Sequence, residues 1–549
     1  MADRSLFRKI NFPLAHLPTF FFIIGYPVFW LELYVFKAKE GVTSSLAWIL
    51  FILVTAIAFW RWLKEPKKEG TFYRNAFLSS TNSIQRLFLF MGFLLGGIIL
   101  TIVVLAALQP IHLMQESDCL QYHYTLPRQH LILGSFAHIP WAADDLFLLP
   151  VDFSLAPFWF ATVLPNKLPQ LIILFGLMGV LVRLACSLVR VLGPSQPWAP
   201  VLVLFAFLGS HGLGIQMGTG MLDLTAAYLF FAAWDSLQKG QWSLAAIEFT
   251  FFFWSKPFIP LQVIVVAALL VIIIFMARFL KYELTPQLHF LHWRRAFTLF
   301  LVLSLFVGGP FIVKSIVYAA TPLFPFSPGM LGSWSKIQAY PQAWESLQQA
   351  CHSFMTAAIK SYGHGRDLGA FLKHVWFLAV PEKGVNNAFD YPLGLPYLLF
   401  IVPFIFFFVR DLFKRQVCLL SVLVILLWGS WWFGSQQARF LYIPVILIFL
   451  ITIVRFNPNG FDKMSTTLLG CLVVALALHA VSVWGAHKAD IGRPALTVLR
   501  DSDKKLLELN RTYLQNPSGY IEWLEHDVAY AQFPVKVTRE KLPHTIFSE

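Results

Sequence analysis

The sequence predicts an all-α protein, a polytopic transmembrane helical bundle of about 13 spans with long extracytoplasmic loops. Three observations lead there. Of 549 residues, 57% are hydrophobic and 13% charged, about half the charged share of an ordinary soluble domain. Mean hydropathy is +0.65. The apolar residues, 55 Phe and 19 Trp among them, gather in runs of about 20, the length that carries a helix across a bilayer. These runs do not alternate in polarity, which excludes a membrane barrel. The apolar content excludes a soluble enzyme and a disordered chain.

The expected spans are 17–36, 44–63, 87–109, 168–192, 198–214, 219–237, 242–255, 257–280, 296–318, 392–410, 416–433, 438–455 and 464–486. Residues 1–86 form an N-terminal two-span extension, 87–486 the transmembrane core, and 487–549 a small extracytoplasmic tail. Arg4, Arg8 and Lys9 precede the first span without a small-residue cleavage site, so it reads as a retained signal anchor. The net charge of +13 does not mark a nucleic-acid partner, because the basic residues cluster in short loops between spans. With the N-terminus in the cytoplasm, Lys64, Lys67, Lys68, Arg74, Arg86, Arg278, Lys281, Arg294, Arg295, Arg410, Lys414 and Arg415 all fall inside. That bias is the one by which cytoplasmic loops are recognised, and its partners are membrane lipids.

This topology leaves 110–167, 319–391 and the tail outside. Loops of that length need a function or structure of their own. The first is acidic and aromatic, with Glu116, Asp118, Asp144, Asp145 and Asp152 against Arg128 and Lys167. In the second, Trp344, Leu347 and Phe354 share one side of a helical stretch, as expected of a segment lying in the membrane interface. Five Cys show no metal or redox spacing; the sequence leaves a Cys119–Cys351 bond open. No internal or inverted repeat is visible, which counts against a transporter.

The chemistry concentrates in SDCLQYHYTLPRQH (117–130). Asp118 follows a span, with Tyr122 one helical turn on and His123 beside it. Other ionisable groups stand at span ends: Asp223 opens 219–237, Lys256 lies in WSKPFIP, Lys314 four residues after Pro310, and Arg439 in SQQARFLYIP. A single cation at a span end can be explained by snorkelling to lipid headgroups. Three facing outward, together with two carboxylates, run against the positive-inside bias and fit an anionic ligand.

The order Asp118-x-x-x-Tyr122-His123-x-x-x-Pro127, then Asp223, Lys256-Pro257, Pro310 to Pro325 around Lys314, and Gln437-x-Arg439-Phe440-Leu441 to Pro444 resembles the GT-C glycosyltransferases. The resemblance covers roughly 87–456. It departs from the family pattern at Ser315 and Ala320-Thr321, and two spans precede the usual start. It implies an enzyme of a bacterial plasma membrane, serving a cell-envelope polysaccharide or a related product. That enzyme takes a sugar from a polyprenyl-phosphate carrier and passes it to an acceptor hydroxyl on a glycan, lipid or protein, on the extracytoplasmic face. Such transfer needs a base for the hydroxyl and positive charge for the departing phosphate, but no general acid. Asp118 is then the expected base, Tyr122 or His123 orients the acceptor, and Lys256, Lys314 and Arg439 cradle the phosphate. Asp223 positions the acceptor or pairs with a cation.

No cofactor is required. His112, His123, His130 and His138 beside carboxylates offer a divalent-metal site, although none has a fixed ligand spacing. The rival readings are a multispan transporter or lipid flippase, and a lipid-linked polysaccharide polymerase or ligase.

Overall fold

The computed structural model describes residues 14–36, 42–64, 82–109, 122–138, 143–159, 164–192, 199–285, 293–326, 328–332, 362–380, 392–455 and 461–488, with Phe389 and pieces of 344–356. They are predominantly helical. α1 (Thr19–Leu31), α2 (Val42–Lys64) and α3 (Ser83–Ala107) lead into two short helices, α4 (Thr125–Leu133) and α5 (Pro150–Trp159). Next come α6 (Leu168–Leu192), α7 (Ala199–Leu208), α8 (His211–Gln216), α9 (Asp223–Gln238), α10 (Trp242–Phe253), α11 (Ile259–Phe279) and α12 (Trp293–Ala319). The last described helices are α13 (Leu368–Ala379), α14 (Leu395–Phe413), α15 (Leu419–Phe433), α16 (Tyr442–Arg455) and α17 (Phe461–His487). Two three-residue strands, β1 (Glu283–Thr285) and β2 (Gln416–Cys418), pair in parallel with Leu284 opposite Val417.

Among the described residues eight helical stretches are long and apolar enough to cross a membrane: Leu14–Phe36, Ser83–Ala107, Leu168–Leu188, Ile259–Phe279, Trp293–Ala319, Leu395–Phe413, Ala438–Arg455 and Thr466–His487. The chain therefore has the character of an integral membrane protein. Each of the 13 expected spans coincides with a helix, but those at 44–63, 198–214, 219–237, 242–255 and 416–433 are not among these eight, and the last four are shorter helices. α10, with 12 residues, reaches only about 18 Å at 1.5 Å per residue, well short of the hydrocarbon core. The apolar run at 198–214 breaks at Gly209-Ser210 into α7 and α8. Hydropathy alone does not separate such buried core helices from true spans.

Burial sorts the helices. Of the apolar window in Ala438–Arg455, 72% is buried inside the protein, against 17% for α11. α16 is therefore central, whereas α11 turns Val271, Ile272, Phe275 and Phe279 outward. In water that surface would be a large liability; against lipid tails it costs nothing. α1 lies within the core: Gly25 packs so closely on α5 that a Cβ there would sit 1.8 Å from the Ser154 carbonyl oxygen. The Tyr26 hydroxyl donates to the Val307 carbonyl of α12 at 2.8 Å.

The bundle has two distinguishable ends. α11 runs from Lys256 towards β1, α12 returns from Trp293 to Ala319, and α15 leaves β2 to finish at Phe433, just before Arg439. The β1–β2 end is flanked by Arg278, Lys281, Arg294, Arg295, Arg410, Lys414 and Arg415. The opposite end holds Lys256, the C-terminus of α12 and the start of α16, and the short helices α4 and α5 pack there.

Candidate functional site

α4 and α5 are pinned before any functional group is placed. The Tyr124 ring stacks on Trp159 with centroids 4.1 Å apart. Asn166 donates to the Trp159 carbonyl at 2.5 Å, and Trp159 Nε1 reaches Gln170 on α6 at 3.3 Å. α5 then points consecutive side chains to different sides. Phe153 packs on Phe29, Phe136 and Phe311, while Asp152 Oδ2 meets His123 Nδ1 at 2.9 Å. Both members of that pair are at most 1% exposed. Burial pushes the Asp152 carboxyl above its ordinary range, against the pull of His123 and Lys256. Two atoms of the pair, His123 Nε2 and Asp152 Oδ1, are buried with no hydrogen-bond partner among the described residues.

Beside this pair, Lys256 Nζ forms an ion pair with Asp223 Oδ1. Gln216 Nε2 donates to Asp223 Oδ2 at 3.1 Å. Lys256 comes from the tight turn between α10 and α11, where Pro260 fits the first turn of the next helix; Asp223 is the first residue of α9. Arg439, in the 3-10 turn Ala438–Leu441, donates through Nε to Gln437 Oε1 at 2.6 Å. Lys256 and Arg439 share the face of Phe440, 5.4 and 5.5 Å from its centroid. Asp223, Lys256 and Arg439 line one cavity of about 50 Å³ with Gln262, Phe440 and Tyr442, enough for a few waters. Asp223 lies within electrostatic reach of His123 as well as of both cations, and Lys256 within reach of Asp152, so the His123–Asp152 pair neighbours the cavity without lining it.

Lys314 lies elsewhere. Its Nζ is 2.7 Å from Asp145 Oδ1 and 2.9 Å from His130 Nε2, and it sits 4.5 Å from the centroid of the Phe136 ring. His138 Nδ1 adds a 3.1 Å contact to Asp145 Oδ2. His130 is held by its own helix end: Gly134 takes a left-handed conformation (φ 61°) that brings the Ser135 carbonyl to His130 Nδ1 at 2.7 Å. With Nδ1–H donating there, Nε2 of the neutral ring is left to accept from Lys314. Burial, and then the Lys314 ammonium, keep His130 below its usual range. Burial does the same to His138. The Lys314 ammonium, aided by a hydrogen bond from His138, holds the Asp145 carboxyl well below the usual carboxylate range despite its burial.

Of the expected site residues, then, Asp223, Lys256 and Arg439 converge, and His123 joins them through Asp152. The Tyr122 ring lies tilted against His123 with centroids 4.2 Å apart and packs against Phe147. It belongs to an apolar cluster that joins both expected outer loops through Leu146, Leu149, Phe324 and Leu347. Trp344 also packs there, so this part of the second loop covers the first. Asp118, His112 and Cys119 lie outside the described residues, as do the 489–549 tail and the N-terminal basic residues. Among the described residues no group of three or more His, Cys, Asp or Glu side chains is arranged to hold a metal ion. At His130 and Asp145, the ammonium of Lys314 occupies the cation's place.

Sequence reasoning missed Asp152 as the partner of His123, and Asp145 with His130 and His138 as partners of Lys314. The one available signal for Asp152 was a carboxylate near the start of an otherwise apolar run. It also missed a buried network further along α9, where His16 bridges Glu248 (2.7 Å) and Asp235 (2.9 Å). Thr19 and Ser236 donate to Glu248, and Arg183 and Lys239 pair with Asp235. Comparison with known families, with characterised proteins and with solved structures finds no match.

Proposed function

We propose that the protein is a membrane glycosyltransferase that moves a sugar from a polyprenyl-phosphate donor to an acceptor hydroxyl on the extracytoplasmic side. One observation carries this reading: Asp223, Lys256 and Arg439, distant along the chain, line a single cavity at the end of the bundle away from the basic β1–β2 loops. By the positive-inside bias those loops are cytoplasmic, so the cavity opens on the other face. In the step, the acceptor oxygen attacks the anomeric carbon as its proton passes to a base. The carbon–oxygen bond to phosphate breaks, and its electron pair leaves with the lipid phosphate. Lys256 and Arg439 supply the charge that a departing phosphate needs, Arg439 through a guanidinium whose planar fork suits its oxygens. An arriving phosphate competes with Asp223 for Lys256, which frees that carboxylate to hold an acceptor hydroxyl. Phe230, Phe252, Phe258 and Val263 around the cavity give the adjoining prenyl units an apolar wall. Asp118, five residues before His123, is the base implied by the GT-C resemblance.

The test is reconstitution in liposomes with radiolabelled hexosyl phosphates of a C55 polyprenol and a panel of hydroxyl acceptors. The wild type transfers label, and Asp118→Asn, inserted and monodisperse, does not. Full activity of Asp118→Asn removes its role. A wild type that moves labelled lipid across the bilayer without transferring sugar makes the protein a flippase.

A further inference from the structure

We propose that His123, held by Asp152, takes the proton of the acceptor hydroxyl, with Asp152 as its positioning residue. The assignment rests on the sugar-transfer reading above. The 2.9 Å contact from His123 Nδ1 to Asp152 Oδ2 puts the ring proton on Nδ1. Nε2 is thereby left as a lone pair, buried and without a hydrogen-bond partner among the described residues. A buried acceptor in that condition costs stability unless something arrives to fill it. The pairing also sets the tautomer and ring plane, the orientation that a proton-accepting histidine requires. Asp152 Oδ1 and Gln216 Oε1, likewise buried without partners, supply further acceptors for a polyhydroxylated ligand.

Among the described residues, the charged and titratable groups facing this pair are Asp223 from α9, Lys256 from the α10–α11 turn and Tyr122 beside it. The hydroxyl thus lies between an imidazole that takes its proton and the cations that receive the phosphate. As the new carbon–oxygen bond forms, the proton moves to Nε2 and the resulting imidazolium is stabilised by Asp152. Release of that proton to solvent with the product returns the ring to neutrality. In this assignment His123 takes the place of Asp118, the base that the GT-C resemblance implies.

The experiment is the pH dependence of kcat for C55-phosphate-linked hexose in liposomes, for wild type, His123→Gln and Asp152→Asn. The wild-type profile has an acid limb, on which kcat falls as the base is protonated. His123→Gln lowers kcat by about 10²–10⁴-fold and loses that limb, while affinity for C55-phosphate stays within about twofold. In Asp152→Asn the amide donates to Nδ1, forces the proton onto Nε2 and costs a comparable factor. A wild-type profile flat from pH 5.5 to 8, or a His123→Gln variant that keeps the acid limb, overturns the assignment and leaves the transferase reading standing. Absence of transfer by the wild type with every donor overturns both. If one variant misfolds, the other read against the wild-type profile decides the matter.

Discussion

Lys314→Met separates a structural cation from a phosphate ligand. Lys314, His130 and Asp145 are each 5% exposed or less, so removing the ammonium strands a carboxylate in the interior. Breaking a buried pair in this way costs about 3–5 kcal/mol. For 549 residues unfolding as a unit, at about 2.1 cal/mol/K each, that is about 3–4 °C in Tm. The pH dependence is more diagnostic than the size. In the wild type His130 is held below the histidine value of 6.5, so the unfolded chain takes up the proton first and acidification below about pH 6.5 destabilises the fold. Without Lys314, Asp145 Oδ1 at 2.6 Å raises His130 instead: Nε2 takes a proton, and the contact becomes a charged hydrogen bond. A raised folded value contributes stability that is present below about pH 6.5 and lost as pH rises through the new value. The gap between wild type and variant therefore narrows towards pH 5.5 and widens towards pH 8, and His138, which Lys314 also holds down, moves in the same direction. Thermal unfolding in detergent across that range measures it. Lys314→Met with Asp145→Asn, which removes both charges, recovers most of the loss. A pH-independent gap, or no gap, refutes the reasoning. A variant of normal stability that no longer binds C55-phosphate returns Lys314 to the phosphate cradle.

Three other outcomes follow from the same geometry. Lys256→Ala and Arg439→Ala each weaken C55-phosphate binding by about tenfold or more, equivalent to about 1.4 kcal/mol, as read by direct binding to the purified protein; unchanged affinity in both assigns these cations to lipid headgroups. Gly25→Ala drives a methyl group into the Ser154 carbonyl and separates α1 from α5, at a cost of about 1–3 kcal/mol. Because α5 carries Asp152, activity falls along with Tm, whereas Gly97→Ala, whose Cβ meets nothing within 4 Å, leaves both unchanged. Asp235→Asn leaves Arg183, Lys239 and His16 without their shared carboxylate, a loss of about 3–5 kcal/mol seen as a lower Tm with C55-phosphate affinity intact.

Periodicity and composition revealed much of this protein because lipid imposes simple rules. A helix that must satisfy its backbone internally and face hydrocarbon announces itself as a long apolar run, as α3, α11 and α12 do. The same rules say little about helices that other helices cover, and so α7 to α10 resemble spans in sequence while being shorter in fact. The site was half legible. Asp223, Lys256 and Arg439 stand out as charges at the ends of apolar runs, where each requires a reason. Asp152 does not, because nothing local distinguishes a carboxylate aimed at a histidine 29 residues earlier from an ordinary acid in the first turn of a helix.

By itself the sequence determined the solvent in which the protein lives, the helical character of nearly every apolar run, and the short set of ionisable groups that cost too much to be incidental. Tertiary structure alone decided how those groups were shared out: Lys256 to Asp223, Lys314 to Asp145 and His130, His123 to Asp152, His16 to Asp235 and Glu248. The reason is physical. Desolvation makes every buried charge demand a partner, but which partner it meets depends on helix packing set by residues such as Gly25 and Phe153, whose own chemistry carries no charge at all.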